Sequence, residues 1–216
     1  MNLRCITREP FELPADIVEH LEQNSEIVTF RKNETILSAG ELDAPFYFIS
    51  AGLARLYYPP KNDDETEETI LFGEAGNIAA ALSNFMLGLP SVFGVKAVTP
   101  VKAYRIKADV IRNLYRVDHT FCRWLMELSL IQIAHFEIRH TYFTDKDPYQ
   151  RFIKFMRFKP KSYLRRVPGY IIASYLSITP NEYYKVKEKY ENDHLNVPYD
   201  KEFLDAIGVT GFAPEE

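Results

Sequence analysis

The chain has 216 residues, of which 46% are hydrophobic and 14% aromatic, so it can bury one large or two small cores and is expected to fold. Its two cysteines, Cys5 and Cys122, lie far apart without metal-ligand spacing, which argues against a disulfide framework, a zinc site or an iron–sulfur site. Residues 1–20 lack the apolar run of a signal peptide, and no segment approaches the roughly 18 apolar residues of a membrane span. We therefore expect a cytoplasmic protein without a membrane partner.

The charge of the chain is unevenly distributed. The net charge of −4 would alone argue against a nucleic-acid partner. Residues 1–146 carry 15 basic and 20 acidic side chains, residues 147–190 carry 10 and 3, and residues 191–216 carry 1 and 7. Residues 147–190, called the basic segment below, thus have a net charge of +7 (10 − 3). Such a block predicts phosphate contact, because neutralising phosphates releases counterions; the alternative is a solvated basic face without a partner.

Short β-rich segments dominate the first half of the chain. A short amphipathic helix is predicted over residues 10–24. From Ile27 to Ile106, runs of aromatic and β-branched residues then alternate with glycine and proline, which predicts a sandwich, roll or barrel of short strands. The acidic run from Asp63 to Glu68 lies between two such runs and is interpreted as a solvated hairpin tip rather than a ligand site.

A long helix is predicted over residues 118–143, with a length of about 39 Å. Its apolar positions keep a 3-4 spacing over three heptads: Phe121, Trp124, Leu128, Ile131, His135, Ile138 and Tyr142. A second apolar set lies beside them: Leu125, Ile133 and Phe136. We expect one face to pack on the β domain and the heptad seam to pair with a second chain in a parallel homodimer, with His135 as an interface histidine. The alternative is a single helix that covers the β domain.

The Asp147-Pro148 pair ends this helix and predicts a hinge over residues 143–148. The chain is thus divided into a β domain (1–116), a long helix with its hinge (117–146) and a C-terminal domain (147–216).

The stretch IIASYLSITPNEYYKVKEKY, in the basic segment, predicts two short helices joined by about three residues. Ser177 occupies the turn, where glycine would be the easier residue. Thr179 as N-cap, Pro180 at the first helical position and Glu182 three residues after the cap predict that the second helix begins at Pro180.

The outer face of the second helix carries candidate readers of base pairs. With Tyr183 and Val186 facing inward, helical spacing turns Asn181, Tyr184, Lys185 and Glu188 outward. Asparagine can bind adenine, lysine can donate to guanine, and tyrosine can contact a phosphate or a thymine methyl group. Lys187, Lys189, Arg165 and Arg166 are suited to phosphate contact. The complete predicted DNA-binding set is Thr179, Asn181, Tyr184, Lys185, Lys187, Lys189, Arg165 and Arg166.

The stretch RVPGYIIASYLSITPNEYYKVKEK resembles the helix-turn-helix of Crp/Fnr regulators, and ILSAGELDAPFYFISAGLARLYY is similar to the glycine-marked strands of cyclic-nucleotide-binding domains. The resemblance implies an α+β fold: an N-terminal cupin-like β-roll, a long dimerisation helix and a C-terminal helix-turn-helix domain. It also implies a bacterial transcription regulator that is not an enzyme and that binds double-stranded DNA and a small-molecule effector. Its operator would have two-fold symmetry, with half-sites about one helical turn apart.

The residues that hold a cyclic nucleotide in this family are replaced. The stretch GNIAAALSNFMLGLPSVF has Ala80-Ala81 in place of the family's Gly-Glu pair and Ser91-Val92 in place of its Arg-Ser pair. Without the arginine a buried phosphate lacks its charge-assisted partner, so we predict that neither cyclic AMP nor cyclic GMP binds with useful affinity. The candidate effector pocket comprises Ala80, Ala81, Leu82, Ser91 and Val92. It either accepts a small, less charged or apolar molecule or is filled by phenylalanine and leucine side chains.

Further departures concern the cofactor, the operator and the C-terminal tail. The sequence has no N-terminal cysteine cluster and no histidine pair within the strands, so we expect no cofactor, no metal and no cupin-type enzyme.

Asn181 and Tyr184-Lys185 replace the glutamate and Ser-Arg that are common in the family at the base-reading positions, so the operator sequence should differ from those of the family. The alternative function is a sensor or interaction module without specific DNA binding. The acidic tail is either solubilising or competes with DNA, and a short helix is expected over residues 200–207.

Overall fold

The computed structural model describes residues 12–62, 66–193, 197–198 and 200. Eight strands lie within these ranges: β1 Ser25–Phe30, β2 Thr35–Leu37, β3 Phe46–Ala51, β4 Leu53–Tyr58, β5 Glu68–Glu74, β6 Ile78–Ala79, β7 Gly94–Ala97 and β8 Val101–Ile106. Eight helices accompany them: α1 Ala15–Gln23, α2 Leu82–Leu87, α3 Ala108–Val117, α4 His119–Phe143, α5 Pro148–Phe158, α6 Tyr163–Arg166, α7 Gly169–Leu176 and α8 Pro180–Asn192. None of these helices is long and apolar enough to cross a membrane.

The strands form a roll of two antiparallel four-stranded sheets, ordered β1-β8-β3-β6 and β2-β7-β4-β5. Between the sheets lies a core to which both contribute, including Ile49 of the first sheet and Leu56 of the second. Gly52 makes the β3–β4 turn with a φ of +95°, and a Cβ there would overlap the carbonyl oxygen of Pro100, so only glycine fits. The predicted roll and its glycine-marked turn are therefore confirmed.

The predicted acidic hairpin tip is ion-paired where it is described. Glu67 accepts hydrogen bonds from Arg55 and Lys96, and Glu68 accepts from Arg139. Glu68 is half exposed, which agrees with a solvated hairpin tip. Glu67 is 25% exposed and pairs with two cations of the sheet beneath, which the linear sequence does not place there. Residues 63–65 lie outside the described ranges.

The long helix α4 has 25 residues, which corresponds to about 37 Å. It begins at His119, after the Asp118 side chain accepts a hydrogen bond from the Phe121 amide at 2.7 Å, and so agrees with the predicted bounds. Its N-terminal half packs on the first sheet, and its C-terminal half packs on the C-terminal helices. Helix α4 thus contacts both the roll and the C-terminal helices.

Three of the seven residues of the predicted dimer seam are buried in the chain's own core, so the seam cannot lie as predicted at these positions. Phe121, Trp124 and Tyr142 are 0%, 2% and 0% exposed in the single chain. The remaining seam residues are half-buried against the roll or the C-terminal helices: Leu128, Ile131, His135 and Ile138. The reason is that the larger aromatic stripe covers the roll. The exposed apolar residues lie on another stripe with the same 4-3 spacing: Met126, Leu130 and Ile133.

The C-terminal helices pack against the roll. Their core includes Leu53, Phe72 and Val98 from the roll together with buried side chains of α5, α7 and α8. After α8 in the chain, the Asp200 amide donates to the Arg157 carbonyl of α5 at 2.9 Å, and the Asp200 carboxylate pairs with the Arg157 guanidinium. Residues 201–207 of the predicted tail helix lie outside the described ranges.

Candidate functional site

A helix-turn-helix is formed by α7, a three-residue turn and α8. Ser177 ends α7 in the left-handed conformation, with φ 51° and ψ 50°. The Ile178 amide then donates to the Ala173 carbonyl at 3.0 Å, which satisfies a carbonyl at the helix end. A serine here does what glycine does more easily, and the predicted turn is confirmed.

The start of α8 is fixed by a capping box. The Thr179 hydroxyl accepts from the Glu182 amide at 3.2 Å, and the Glu182 carboxylate accepts from the Thr179 amide at 2.8 Å. The backbone and side-chain hydrogen bonds from Thr179 lower the pKa of Glu182. The box orients the first turn of the helix that carries the candidate base-reading residues.

We expect Thr179→Ala to lower the free energy of unfolding by about 1 kcal/mol, because one cap hydrogen bond is lost. Denaturant unfolding would measure the difference. The matched control is Ser162→Ala, since Ser162 is the N-cap of α6 but makes no side-chain cap hydrogen bond. An equal loss in both variants would contradict the role of the box.

The outward face of α8 matches the prediction. Tyr183 and Val186 are buried, and the Tyr183 ring packs 6.0 Å from that of Phe152. Between α7 and α8 the approach is close: a Cβ on Gly169 would lie 2.7 Å from the Tyr183 ring. All four residues that were predicted to read bases are exposed: Asn181, Tyr184, Lys185 and Glu188.

The side chains that were predicted to contact phosphate differ in the contacts that they make within the chain. Arg165 is exposed. Lys187 lies 3.7 Å from Glu191 one turn on, and the Lys189 ammonium lies 4.0 Å above the Tyr149 ring. Arg166, in contrast, points towards the roll, with its Nη1 atom 3.8 Å from Glu74. Arg165 is therefore a better candidate for phosphate contact than Arg166.

The first helix of the motif covers the free edge of a sheet. Strand β5 is the last strand of its sheet, so its outer amides and carbonyls lack a strand partner. The Thr69 amide donates to the Ser174 hydroxyl at 2.7 Å, and that hydroxyl donates to the Glu67 carbonyl at 3.0 Å. Through Ser174, α7 thus satisfies part of the edge that would otherwise be open.

Arg139 of α4 joins the roll, the long helix and the helix-turn-helix. It is 7% exposed. Its Nε atom donates to the Tyr175 carbonyl at 3.2 Å, and its Nη2 atom donates to Glu68 at 3.1 Å. The guanidinium also lies 4.8 Å from the Phe143 ring centre and 5.3 Å from that of Tyr175. Sequence reasoning missed this residue, although an arginine between apolar positions of a helix was a signal.

A cavity of about 60 Å³ lies between α4 and the second sheet. Most of its lining is apolar or backbone, and none of the described lining residues is an acid, lysine or arginine: Leu56, Leu71, Phe72, Gly73, Gly76, Asn77, Ile78, Leu82, Leu128, Ile131, Gln132 and His135. The cavity therefore has no cation that could neutralise a phosphate.

One polar atom of this lining is left without a partner. The Nε2 atom of His135 is buried and makes no hydrogen bond. Burial, and to a smaller extent the nearby Lys159 charge, lower the pKa of His135 to about 3. His135 is therefore neutral at physiological pH. The described residues contain no cluster of three side chains that could hold a metal ion.

Comparison with known proteins agrees with this architecture. Residues 27–118 match the cyclic nucleotide-binding domain family. FixK2 from Bradyrhizobium japonicum aligns with a TM-score of 0.66 at 16% identity, covering 89% of this chain and 99% of that one. A protein of Eubacterium rectale described as a transcriptional regulator of the Crp/Fnr family aligns with a TM-score of 0.68 at 13% identity, covering 90% and 94%. The chain has the Crp/Fnr fold. No curated protein sequence matches it.

A third structure with this fold is the CLP regulator of Xanthomonas campestris, described as responsive to c-di-GMP. It aligns with a TM-score of 0.66 at 14% identity and covers 84% of this chain and 94% of that one. At identities of 13–16%, these structural alignments show the shared fold alone, so ligands and partners must be argued from the residues of this chain.

Within the Crp/Fnr fold, the residues of the predicted effector pocket lie in different surroundings. Leu82 lines the cavity, whereas Ala80 and Ala81 are buried in the cores beside it. The Ser91 hydroxyl donates to the Phe93 carbonyl at 2.7 Å, and Val92 is 62% exposed. The wall of the cavity is completed by α4, which is distant in sequence and which family positions transferred along the chain do not indicate.

Proposed function

We propose that this protein is a homodimeric transcription regulator that binds DNA through α8. The observation that carries the proposal is the coincidence of two features. One is a capped helix-turn-helix whose second helix exposes Asn181, Tyr184 and Lys185, and the other is the net +7 charge of the basic segment in which these residues lie. The exposed asparagine, tyrosine and lysine have the hydrogen-bonding groups for base edges. The surrounding cations supply the phosphate attraction.

The dimer contact in this proposal is the exposed stripe of α4. Met126, Leu130 and Ile133 are 58%, 58% and 51% exposed in the single chain, and they repeat with heptad spacing on one face of a 25-residue helix. Such a stripe would be covered by the same stripe of a second chain. Two copies of α8 would then read the two halves of a symmetric site.

The small-molecule effector in this proposal would occupy the cavity beside α4. Cyclic nucleotides are poor candidates, because the described lining has no cation for the phosphate and the volume is about 60 Å³. The cavity shares strand β5 with the surface on which α7 packs. An occupant would therefore alter a strand that contacts the DNA-binding helices directly.

We expect Lys185→Ala to weaken binding to duplex DNA about tenfold, because a donor to a base edge is lost. Fluorescence anisotropy against a random duplex pool, followed by selection of the bound sequences, would measure this. Lys102→Ala is the matched control, since Lys102 is an exposed lysine of β8 in the roll and its loss removes the same charge away from α8.

A paired test addresses the phosphate contacts. Arg165→Ala should reduce the slope of log affinity against log salt by about 1, and Arg166→Ala should reduce it less, because Arg166 faces Glu74. Equal weakening by Lys185→Ala and Lys102→Ala would show that only net charge matters. Absence of DNA binding by the unmodified protein, with and without effector, would favour the sensor module without DNA binding.

A further inference from the structure

We propose that the cavity between α4 and β5 binds a small uncharged molecule that forms a hydrogen bond with the Nε2 atom of His135. The inference rests on the proposed function, because it names the ligand class of the effector site. It begins from a residue that the sequence placed in a dimer seam and that the fold places in the cavity wall.

The first step is the unpaired nitrogen. A buried polar atom without a partner costs stability, so nearly all such atoms in folded proteins are paired with protein or water. His135 Nε2 has no partner within the described part of the chain, yet it belongs to a residue that lines a cavity. A molecule held there would supply the missing hydrogen bond. A neutral imidazole can either donate or accept at this atom, depending on its tautomer.

The second step is the chemistry of the surroundings. The remaining walls are mainly apolar, with Asn77 and Gln132 as the other polar side chains of the described lining, so the site suits an apolar body that carries a hydroxyl or amide group. The described lining holds no charged side chain, so an ionised ligand would lose its hydration without a counter-charge in the cavity wall. The volume of about 60 Å³ is well below the roughly 150 Å³ of an apolar cavity that accepts benzene. The ligand class is therefore a short-chain alcohol or amide.

The third step is a route by which occupancy would reach the DNA-binding helices. Phe72 lines the cavity, and its ring centre also lies 5.3 Å from that of Tyr163 and 5.0 Å from that of Tyr175. A ligand that shifts Phe72 would therefore move atoms in contact with α6 and α7. Because packed cores transmit displacement rather than absorb it, this wall couples the two sites.

The test is titration of the full-length protein with 1-propanol and with propionamide, followed through the ring ¹⁵N shift of His135. We expect a saturable shift with at least one of these two probes and none with propionate or cyclic AMP. The His135→Leu variant has no ring nitrogen, so there the titration is followed through the shifts of neighbouring methyl groups, which should show no saturable response. Its melting temperature should rise by about 2–4 °C, because an unpaired polar atom has been removed. His140→Leu is the control, since His140 is exposed on the same helix.

The proposal is overturned if neither neutral probe gives a saturable response, or if propionate gives an equal one. It is also overturned if His135→Leu lowers the melting temperature more than His140→Leu does, since His135 would then make a structural hydrogen bond through water. None of these readouts involves DNA. Failure of the ligand site is thus separable from failure of the proposed DNA-binding function.

Discussion

Replacing both Met126 and Leu130 with glutamate is expected to convert the proposed dimer into a monomer. The two side chains are exposed in the single chain and, in the proposed dimer, would meet their own copies across the two-fold axis. Burying four carboxylates against one another costs several kcal/mol in desolvation and repulsion, more than a helix–helix contact can offset. Sedimentation velocity would give the mass, and circular dichroism would show that the fold is kept.

Two further variants test whether the proposed dimer contact is specific to the exposed stripe of α4. Val117→Glu introduces the same charge at an apolar residue that is 79% exposed but belongs to α3, and it should leave the dimer intact. Phe121→Ala should instead lower the free energy of unfolding by about 3–5 kcal/mol, because Phe121 belongs to the core against the roll. Dissociation by Val117→Glu, or an unchanged mass in the double variant, would contradict the proposed interface.

Arg139→Ala is expected to lower the free energy of unfolding by about 2–4 kcal/mol. The substitution leaves the buried Tyr175 carbonyl without its donor, at a cost of roughly 1–3 kcal/mol, and removes stacking of the guanidinium on Phe143 and Tyr175, worth roughly 1 kcal/mol. The pair with Glu68 adds little, because Glu68 is half exposed. Urea unfolding followed by far-ultraviolet circular dichroism would measure the loss.

The matched control for this prediction lies on the same helix. Arg123 is 75% exposed and lies 3.7 Å from Glu127 one turn away, so Arg123→Ala should change the free energy of unfolding by less than about 0.5 kcal/mol. A similar effect from the two substitutions would mean that Arg139 acts only as a surface charge. Hydrogen exchange would add a local test, since Arg139→Ala should loosen β5 and α7 more than the distant strands β1 and β8.

The sequence alone determined those features that depend on local chemistry. The alternation of β-branched and aromatic residues predicted the strands, and the heptad spacing predicted a helix that agrees with α4 to within one residue at its start. Thr179, Pro180 and Glu182 predicted the start of α8, because a capping box uses only residues within one helical turn. Replacement of the Gly-Glu and Arg-Ser pairs was equally visible in the linear sequence.

The tertiary structure decided which surfaces face each other. Helix α4 carries two apolar stripes, and the sequence could not tell which of them the chain covers by itself, because that depends on where the roll lies. The same reason moved His135 from a predicted seam into a cavity wall and turned Arg166 towards Glu74. Arg139 joins the long helix to the helix-turn-helix and the roll, because its hydrogen-bond acceptors, the Tyr175 carbonyl and the Glu68 carboxylate, are 36 and 71 residues away in the chain. Local propensity sets the elements, but burial is shared between distant segments, and only the folded chain shows how it is divided.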